Sequence, residues 1–414
     1  MADYRIPLAY NTLGDAEMAA AHEVLESGRL TQGARVARFE REFADWHGAK
    51  HAIFVNSGSS ANLVGIEALV QLSRLRPDLV PSGRPCAPGD EVVIQGLNWP
   101  STLKPLMNLG LKPVFCDIDP ASLNASVETV AAAVTERTRM VIAVPVLGNP
   151  THVAELAEYC AANDLLLFED ACESVGAVTK GGARIGRLGS ASAFSFYFSH
   201  HLTTIEGGMI LTDSDELADM AYALRAHGWS RNLQLDGFLD FDSGKESGTI
   251  DPRFCFVLPG YNVRSTDLNA ALGSVQLTRL ADMVDARRTV AQGRIDALDG
   301  TAVRVPGADI IDRHSWMTTP LLFPDRDARD RGRDALEADG VETRPIIVGN
   351  VLRHPLARML GLADHQRPLP ECDGVFERGL MIGLNPQPDA GDEAFLHEAL
   401  RRAASAGTGI GTGA

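Results

Sequence analysis

Residues 91–119 read EVVIQGLNWPSTLKPLMNLGLKPVFCDID. Two short apolar runs, EVVIQ and PVFCDID, flank a helical stretch over roughly 101–109. Neither run alternates apolar with polar residues, as a half-solvated strand would. Continuous Val, Ile and Phe suit a strand buried on both faces, the situation that crossover helices create in a parallel sheet. The stretch therefore reads as strand, helix, strand. The pattern recurs on either side. HAIFV (51–55), MVIAVPV (140–146) and LLLFED (165–170) read as further buried parallel strands, with helical stretches over 61–75, 127–134 and 153–162. Such alternation predicts an α/β domain built on a doubly wound, mostly parallel sheet.

Further out, 15–26 reads as an amphipathic helix, SGRLTQG (27–33) as a loop and VARFEREFADW (36–46) as a second helix. Two more strands are expected near 193–198 and 208–212, then a helix over 215–227 capped by Ser214 and stopped by Gly228. The polar stretch 232–253 reads as a loop and 266–298 as one long helical region. SWMTTPLLF (315–323), DRGRDALEADG (330–340) and DEAFLHEALRRA (392–403) mix strand and helix, as a smaller α/β unit would. The expected division is a large domain over 1–280, a small C-terminal domain over 281–404 and a flexible tail, SAGTGIGTGA, over 405–414.

The chain has 414 residues and a formal net charge of −16. So acidic a surface repels phosphate backbones, which argues against a nucleic-acid or anionic-membrane binder but leaves room for one anion in a local basic pocket. The six cysteines (86, 116, 160, 172, 255 and 372) form no C-x-x-C pair. No disulfide scaffold and no metal site is expected, and reduced thiols fit a cytoplasmic protein. The opening MADYRIPLAYNTLGD has acids and no apolar segment, unlike a signal peptide, and no run approaches the ~20 apolar residues of a membrane span.

Four places carry chemistry. SGSSANL (57–63) follows a strand and opens a helix. With Gly58 for close approach and Ser57, Ser59 and Ser60 as hydroxyls, it reads either as a phosphate cradle or as a plainly capped helix start. Asp170 ends a buried strand, where open α/β sheets hold ligands. A buried carboxylate needs a cationic or proton-donating partner, and a protonated pyridine nitrogen is one; capping the next segment is the equal alternative. Trp99, at another strand end, can stack on a flat ring or simply be buried. FSFYFSHHLTTIEGG (194–208) brings Ser199, His200 and His201 to the end of an apolar run. Adjacent histidines on extended backbone point apart and chelate poorly, so one suits proton transfer and the other structure.

In this order the features resemble the DegT-type sugar aminotransferase and dehydratase family, whose members are fold-type I enzymes of pyridoxal phosphate (PLP). The motifs that carry the resemblance are LESGRLTQGARVARFEREFADWHG with FVNSGSSANL, FEDACESVGA and LPGYNVRSTDLNAALGSVQL, and it spans residues 6 to about 400. Most members have, where His200 stands, a lysine that bonds covalently to the cofactor. It lies five residues after a serine and six before the Glu of E-G-G, and Ser195, His200 and Glu206 keep that spacing. Imidazole cannot make that bond but can move a proton. This departure, with SHHLTTIEGG, RAHGWSRN, FVLPGYNVR and RPIIVGN, resembles the branch of 3-dehydratases acting on a GDP-linked 4-keto-6-deoxymannose.

The resemblance implies a two-stage, lyase-type reaction with a transamination half. L-glutamate turns non-covalently held PLP into pyridoxamine phosphate (PMP), and that amine engages the 4-keto group of a nucleotide-linked 6-deoxyhexose. His200 then moves the proton that lets the C3 hydroxyl leave, and works best with a pKa near 6.5. It further implies that Gly58, Ser59 and Ser195 hold the cofactor phosphate, joined by Asn262 of a partner subunit in a homodimer with shared sites. Asp170 would hold the pyridine nitrogen, Trp99 the ring face, and Glu173 would lie near a ring substituent. Arg344, and less directly His227, Arg231 and Arg264, are the candidates for substrate. His201 is assigned a structural role. The alternatives are an aminotransferase for nucleotide sugars and a PLP-binding relative without catalysis.

Overall fold

The computed structural model of the chain describes residues 4–81, 83–233, 251, 254–362 and 367–408. Most of the polar stretch 232–253 therefore lies outside the described residues. Seven strands make the larger sheet: β1 (His51–Val55), β2 (Glu91–Gln95), β3 (Lys112–Cys116), β4 (Thr138–Ala143), β5 (Leu166–Asp170), β6 (Ala191–Ser195) and β7 (Gly208–Thr212). Their order is β1-β7-β6-β5-β4-β2-β3. The pairs β2–β3, β2–β4, β4–β5 and β5–β6 are parallel. β7 lies antiparallel to both β1 and β6. HAIFV is thus a buried strand, but its sheet partner runs against it. The connection from β6 to β7 contains no crossover helix, so the chain returns antiparallel.

The continuous apolar runs have the reason expected of them. Ile53, Val92, Ile94, Ile142, Phe168 and Ile210 enter the core on one face, with residues of the helices Gly58–Leu75 and Asp215–Arg225. Their neighbours Phe54, Val93, Val141, Leu167, Phe194 and Met209 enter a second core, with the helices Ala34–His47, Val153–Ala162 and Asp267–Thr278. Each strand alternates between two buried faces.

A smaller antiparallel sheet, β8 (Thr318–Leu322), β9 (Thr343–Arg344) and β10 (Gly379–Gly383), has the order β8-β10-β9. The helices Arg326–Ala338 and Ala390–Thr408 share its core. Ile6 joins that core and bridges Val341, so the first described residues run with the smaller sheet although the division at 280 assigned them to the large domain. Among the described residues no helix is long and apolar enough to cross a membrane.

Two local expectations change. The region 266–298 is two helices, Asp267–Thr278 and Leu280–Leu298, broken at Arg279. There the guanidinium donates to the Thr12 carbonyl at 2.9 Å and pairs with the buried Glu17 carboxylate, ties that periodicity does not reveal. The last helix runs to Thr408, into the stretch read as a flexible tail, because Arg331 donates to the carbonyls of Ala406 (2.9 Å) and Gly407 (2.7 Å). Residues 409–414 lie outside the described residues.

Candidate active site

The C-terminal ends of the parallel strands open onto a cavity of about 560 Å³. Its floor comes from segments following β1 (57–59), β2 (99–102), β4 (144), β5 (170–173) and β6 (195–200). Met317, Thr318, Arg344 and Met381, at or beside the small sheet, form the opposing wall with Leu8. The chain reverses its direction of growth between β2 and β4, and such a switch point is where an open α/β sheet holds a ligand.

Ser57 caps the helix Gly58–Leu75, its hydroxyl accepting from Ser60 N at 3.1 Å. The first helical amides have no intrahelical acceptor and concentrate positive potential at that end, which suits an anion. Gly58 is required by packing: a Cβ there would lie 2.5 Å from Ser195 Cβ and 3.0 Å from Cys172 Sγ. Gly58, Ser59 and Ser195 all line the cavity, and the hydroxyls of Ser59 and Ser101 are 2.8 Å apart.

Asp170 ends β5 and is only 5% exposed. Its Oδ2 accepts from Asn62 Nδ2 at 2.9 Å and Thr102 Oγ1 at 2.7 Å. Its Oδ1 accepts a long bond from Cys172 N at 3.4 Å and so keeps capacity for a cationic N–H. Sequence reasoning missed Asn62 and Thr102. Asn62 lies on the buried side of its helix, but its partner is 108 residues away and no local pattern points to it. Trp99, 55% exposed, stands at the cavity edge after β2 with the face of its ring system available for stacking.

Glu173 accepts from Leu147 N at 2.8 Å. Burial, with a smaller push from the Asp170 carboxylate, raises its pKa to about 7 against the opposing Leu147 amide. His200 sits in the turn after β6, its amide bonded to the Tyr197 carbonyl at 3.0 Å and its ring edge-on to Tyr197 at 5.9 Å. Its Nδ1 is buried without a partner. Burial, then the charge of Arg287, hold its pKa down to about 4, below the 6.5 that sequence reasoning wanted. The imidazole is therefore a neutral base throughout the physiological range. His201 is fully buried, its Nε2 3.1 Å from the Ser315 carbonyl, a structural position. Among the described residues that line the cavity none is lysine.

Arg344 is the one guanidinium among those lining residues, paired with Glu342 at 2.5 Å. The other named candidates stand elsewhere. The helix Asp215–Arg225 ends two residues before His227, which is exposed in a left-handed conformation, φ 64°. Arg231 lies over the Trp229 ring at 5.2 Å, and Arg264 donates to Asn262 Oδ1 at 3.0 Å. None of these, nor Asn262, lines this chain's own cavity. Among the described residues no group of three His, Cys, Asp or Glu could hold a metal ion.

A helix N-terminus under a strand end, an acid deep in the cavity and an aromatic at its edge, on this sheet order, define the fold-type I class of PLP enzymes. The chain belongs to the DegT/DnrJ/EryC1/StrS aminotransferase family, whose model matches residues 11–398. It is 34% identical to GDP-4-keto-6-deoxy-D-mannose 3-dehydratase of Escherichia coli O55:H7, over 95% of this chain and 99% of that one. It is also 34% identical to dTDP-4-dehydro-2,6-dideoxy-D-glucose 3-dehydratase of Saccharopolyspora spinosa, over 90% and 80% of the two chains. A solved GDP-4-keto-6-deoxymannose 3-dehydratase with a trapped PLP–glutamate geminal diamine superposes with a TM-score of 0.84 at 32% identity, covering 96% of this chain and 100% of that one.

Proposed function

We propose that this chain is a PLP- and PMP-dependent 3-dehydratase that removes the C3 hydroxyl of a nucleotide-linked 4-keto-6-deoxyhexose, with L-glutamate as amino donor. GDP is the nucleotide that two of the relatives named above support, while the third acts on a dTDP sugar. The observation that carries the reading is His200: a neutral imidazole with an unbonded Nδ1, in a cavity with no lysine among the described residues that line it, at the position where aminotransferases carry one.

When bound, the cofactor supplies an amine that condenses with the sugar's keto group and a ring that accepts the displaced electrons. Gly58, Ser59 and Ser195 receive its phosphate at the helix N-terminus, with Asn262 of a second copy reaching the same group in a homodimer. Asp170 Oδ1 accepts the pyridine N–H while Asn62 and Thr102 occupy Oδ2. Trp99 covers the ring face, and Glu173, about half protonated at pH 7, sits by a ring substituent. Arg344 meets the glutamate carboxylate or the sugar-nucleotide phosphate; His227, Arg231 and Arg264 remain candidates only through a second copy. His200 takes a proton beside the cofactor and returns it to the departing C3 oxygen. Without a covalent tether, these contacts supply all of the cofactor affinity.

Borohydride treatment should leave the cofactor, reduced to the alcohol, removable by dialysis, and in untreated protein L-glutamate should convert the PLP absorbance to that of the amine form. GDP-, CDP- and dTDP-linked 4-keto-6-deoxyhexoses, offered in turn, should yield ammonia and a 3-deoxy ketone from one of them. His200→Lys should make the cofactor reducible onto the protein and slow dehydration by on the order of 10²-fold or more. A C4-aminated sugar as the main product would replace this reading with the aminotransferase, and no conversion by saturating glutamate would replace it with the non-catalytic relative.

A further inference from the structure

Among the described residues three arginines are buried, and two obey the usual rule for buried charge. Arg225 pairs with Glu40 at 2.6 Å and Arg294 with Glu393 at 2.7 Å. Arg287, 3% exposed, makes no ion pair among the described residues. Its Nη1 instead donates to three neutral carbonyls, of Trp316 (3.2 Å), Met317 (3.1 Å) and Leu384 (3.1 Å), and its Nε is buried without a partner. A cation sealed from water without a counter-ion is costly to fold around, so what stands beside it is informative.

The backbone it holds leads to the base of the proposed reaction. Met317 lines the cavity, and the preceding Ser315 carbonyl bonds Nε2 of His201, the neighbour of His200. One backbone segment, 315–317, is thus held by Arg287 on one side and holds the histidine turn on the other. We propose that Arg287 is a positioning residue for His200: its clamp on the Trp316 and Met317 carbonyls fixes the backbone that anchors His201, and so sets where the neighbouring imidazole stands relative to that guanidinium. This rests on His200 being the base.

Burial is the larger cause of the low pKa of His200, and Arg287 is the charge that adds to it. The other titratable groups around the ring are His201 beside it, Tyr197 edge-on, and Asp170, Cys172, Glu173, Glu206 and Arg344 on the cavity walls. Arg287 keeps its own proton, since burial lowers it only to about 10.

The experiment follows the His200 ring by NMR in uniformly labelled protein, with the resonance assigned by its loss in His200→Asn. In Arg287→Gln, which keeps donors for the carbonyls but removes the charge, the His200 titration should move upward by on the order of one pKa unit, tenfold in protonated fraction. Arg287→Lys should restore it. If Arg287→Gln does not fold, Arg287→Met, an apolar chain of similar length, carries the same expectation. A melting temperature that falls while the His200 titration stays put would overturn the proposal and leave Arg287 as a packing residue. The acidic limb of kcat/KM should move with the NMR titration. If His200→Asn turns over normally, the base assignment fails, whatever the NMR result.

Discussion

Thr102 and Asn62 decide how Asp170 presents itself. Both donate to Oδ2, so the carboxylate is fixed in rotation and Oδ1 remains for the ligand. A hydrogen bond to a charged group contributes about 1.5–3 kcal/mol. Thr102→Val keeps the shape and removes one donor, and PLP affinity should fall by roughly tenfold, measured by absorbance titration, with the fold intact. An unchanged Kd and an unchanged turnover would show that Asp170 is held by packing alone. At this scale the sequence singled out Asp170, His200 and Ser195 because each sits in a motif, and all three line the cavity. It did not reveal their partners. Thr102 lies 68 residues from Asp170, and no local pattern links them.

On the proposed reading, the helix Gly58–Leu75 is the element whose N-terminus receives the cofactor phosphate. Its N-terminus abuts β6 so closely that a methyl group at residue 58 must displace Ser195 or Cys172. Gly58→Ala should therefore weaken PLP binding by at least about tenfold, by spoiling the cradle more than the fold. Gly65, two turns along the same helix, is the control: a Cβ there meets Phe168 at 3.0 Å, far from the phosphate end. Gly65→Ala should cost about 1–3 kcal/mol of stability in urea unfolding and leave the Kd for PLP unchanged. Equal losses of affinity in the two variants would refute the cradle. Element boundaries were legible where caps were local, as at Ser57 and Ser214. They were not legible at Arg279 or in the last helix, where distant partners decide them.

At the scale of the whole molecule, the sheet separates two cores, and the second contains a polar passenger, His47, packed against Phe43 and Phe194. Burial pushes its pKa from 6.5 down to about 3, helped by the facing charges of Arg184 and Arg187. Below pH 6.5 the unfolded chain takes up a proton that the folded chain refuses. Stability attributable to His47 is thus lost as the pH falls from about 6.5 toward 3, by up to about 1.4 kcal/mol per pH unit. His47→Phe should gain on the parent by that slope between pH 7 and pH 5, read from urea midpoints. A stability difference that does not vary with pH would mean that His47 is charged in the fold.

What the sequence alone determined is the two-faced burial of the strands, hence the α/β sheet, and the types of chemical group at the strand ends, because both are written in residues a few positions apart. What only the tertiary structure decided is the reversed direction of β7, the two donors on Asp170, and the burial of Arg287 without a counter-ion among the described residues. Each depends on segments tens of residues apart being brought within hydrogen-bonding distance, or excluded from water together, and the energy of a buried polar group is set by those neighbours and not by its own place in the chain.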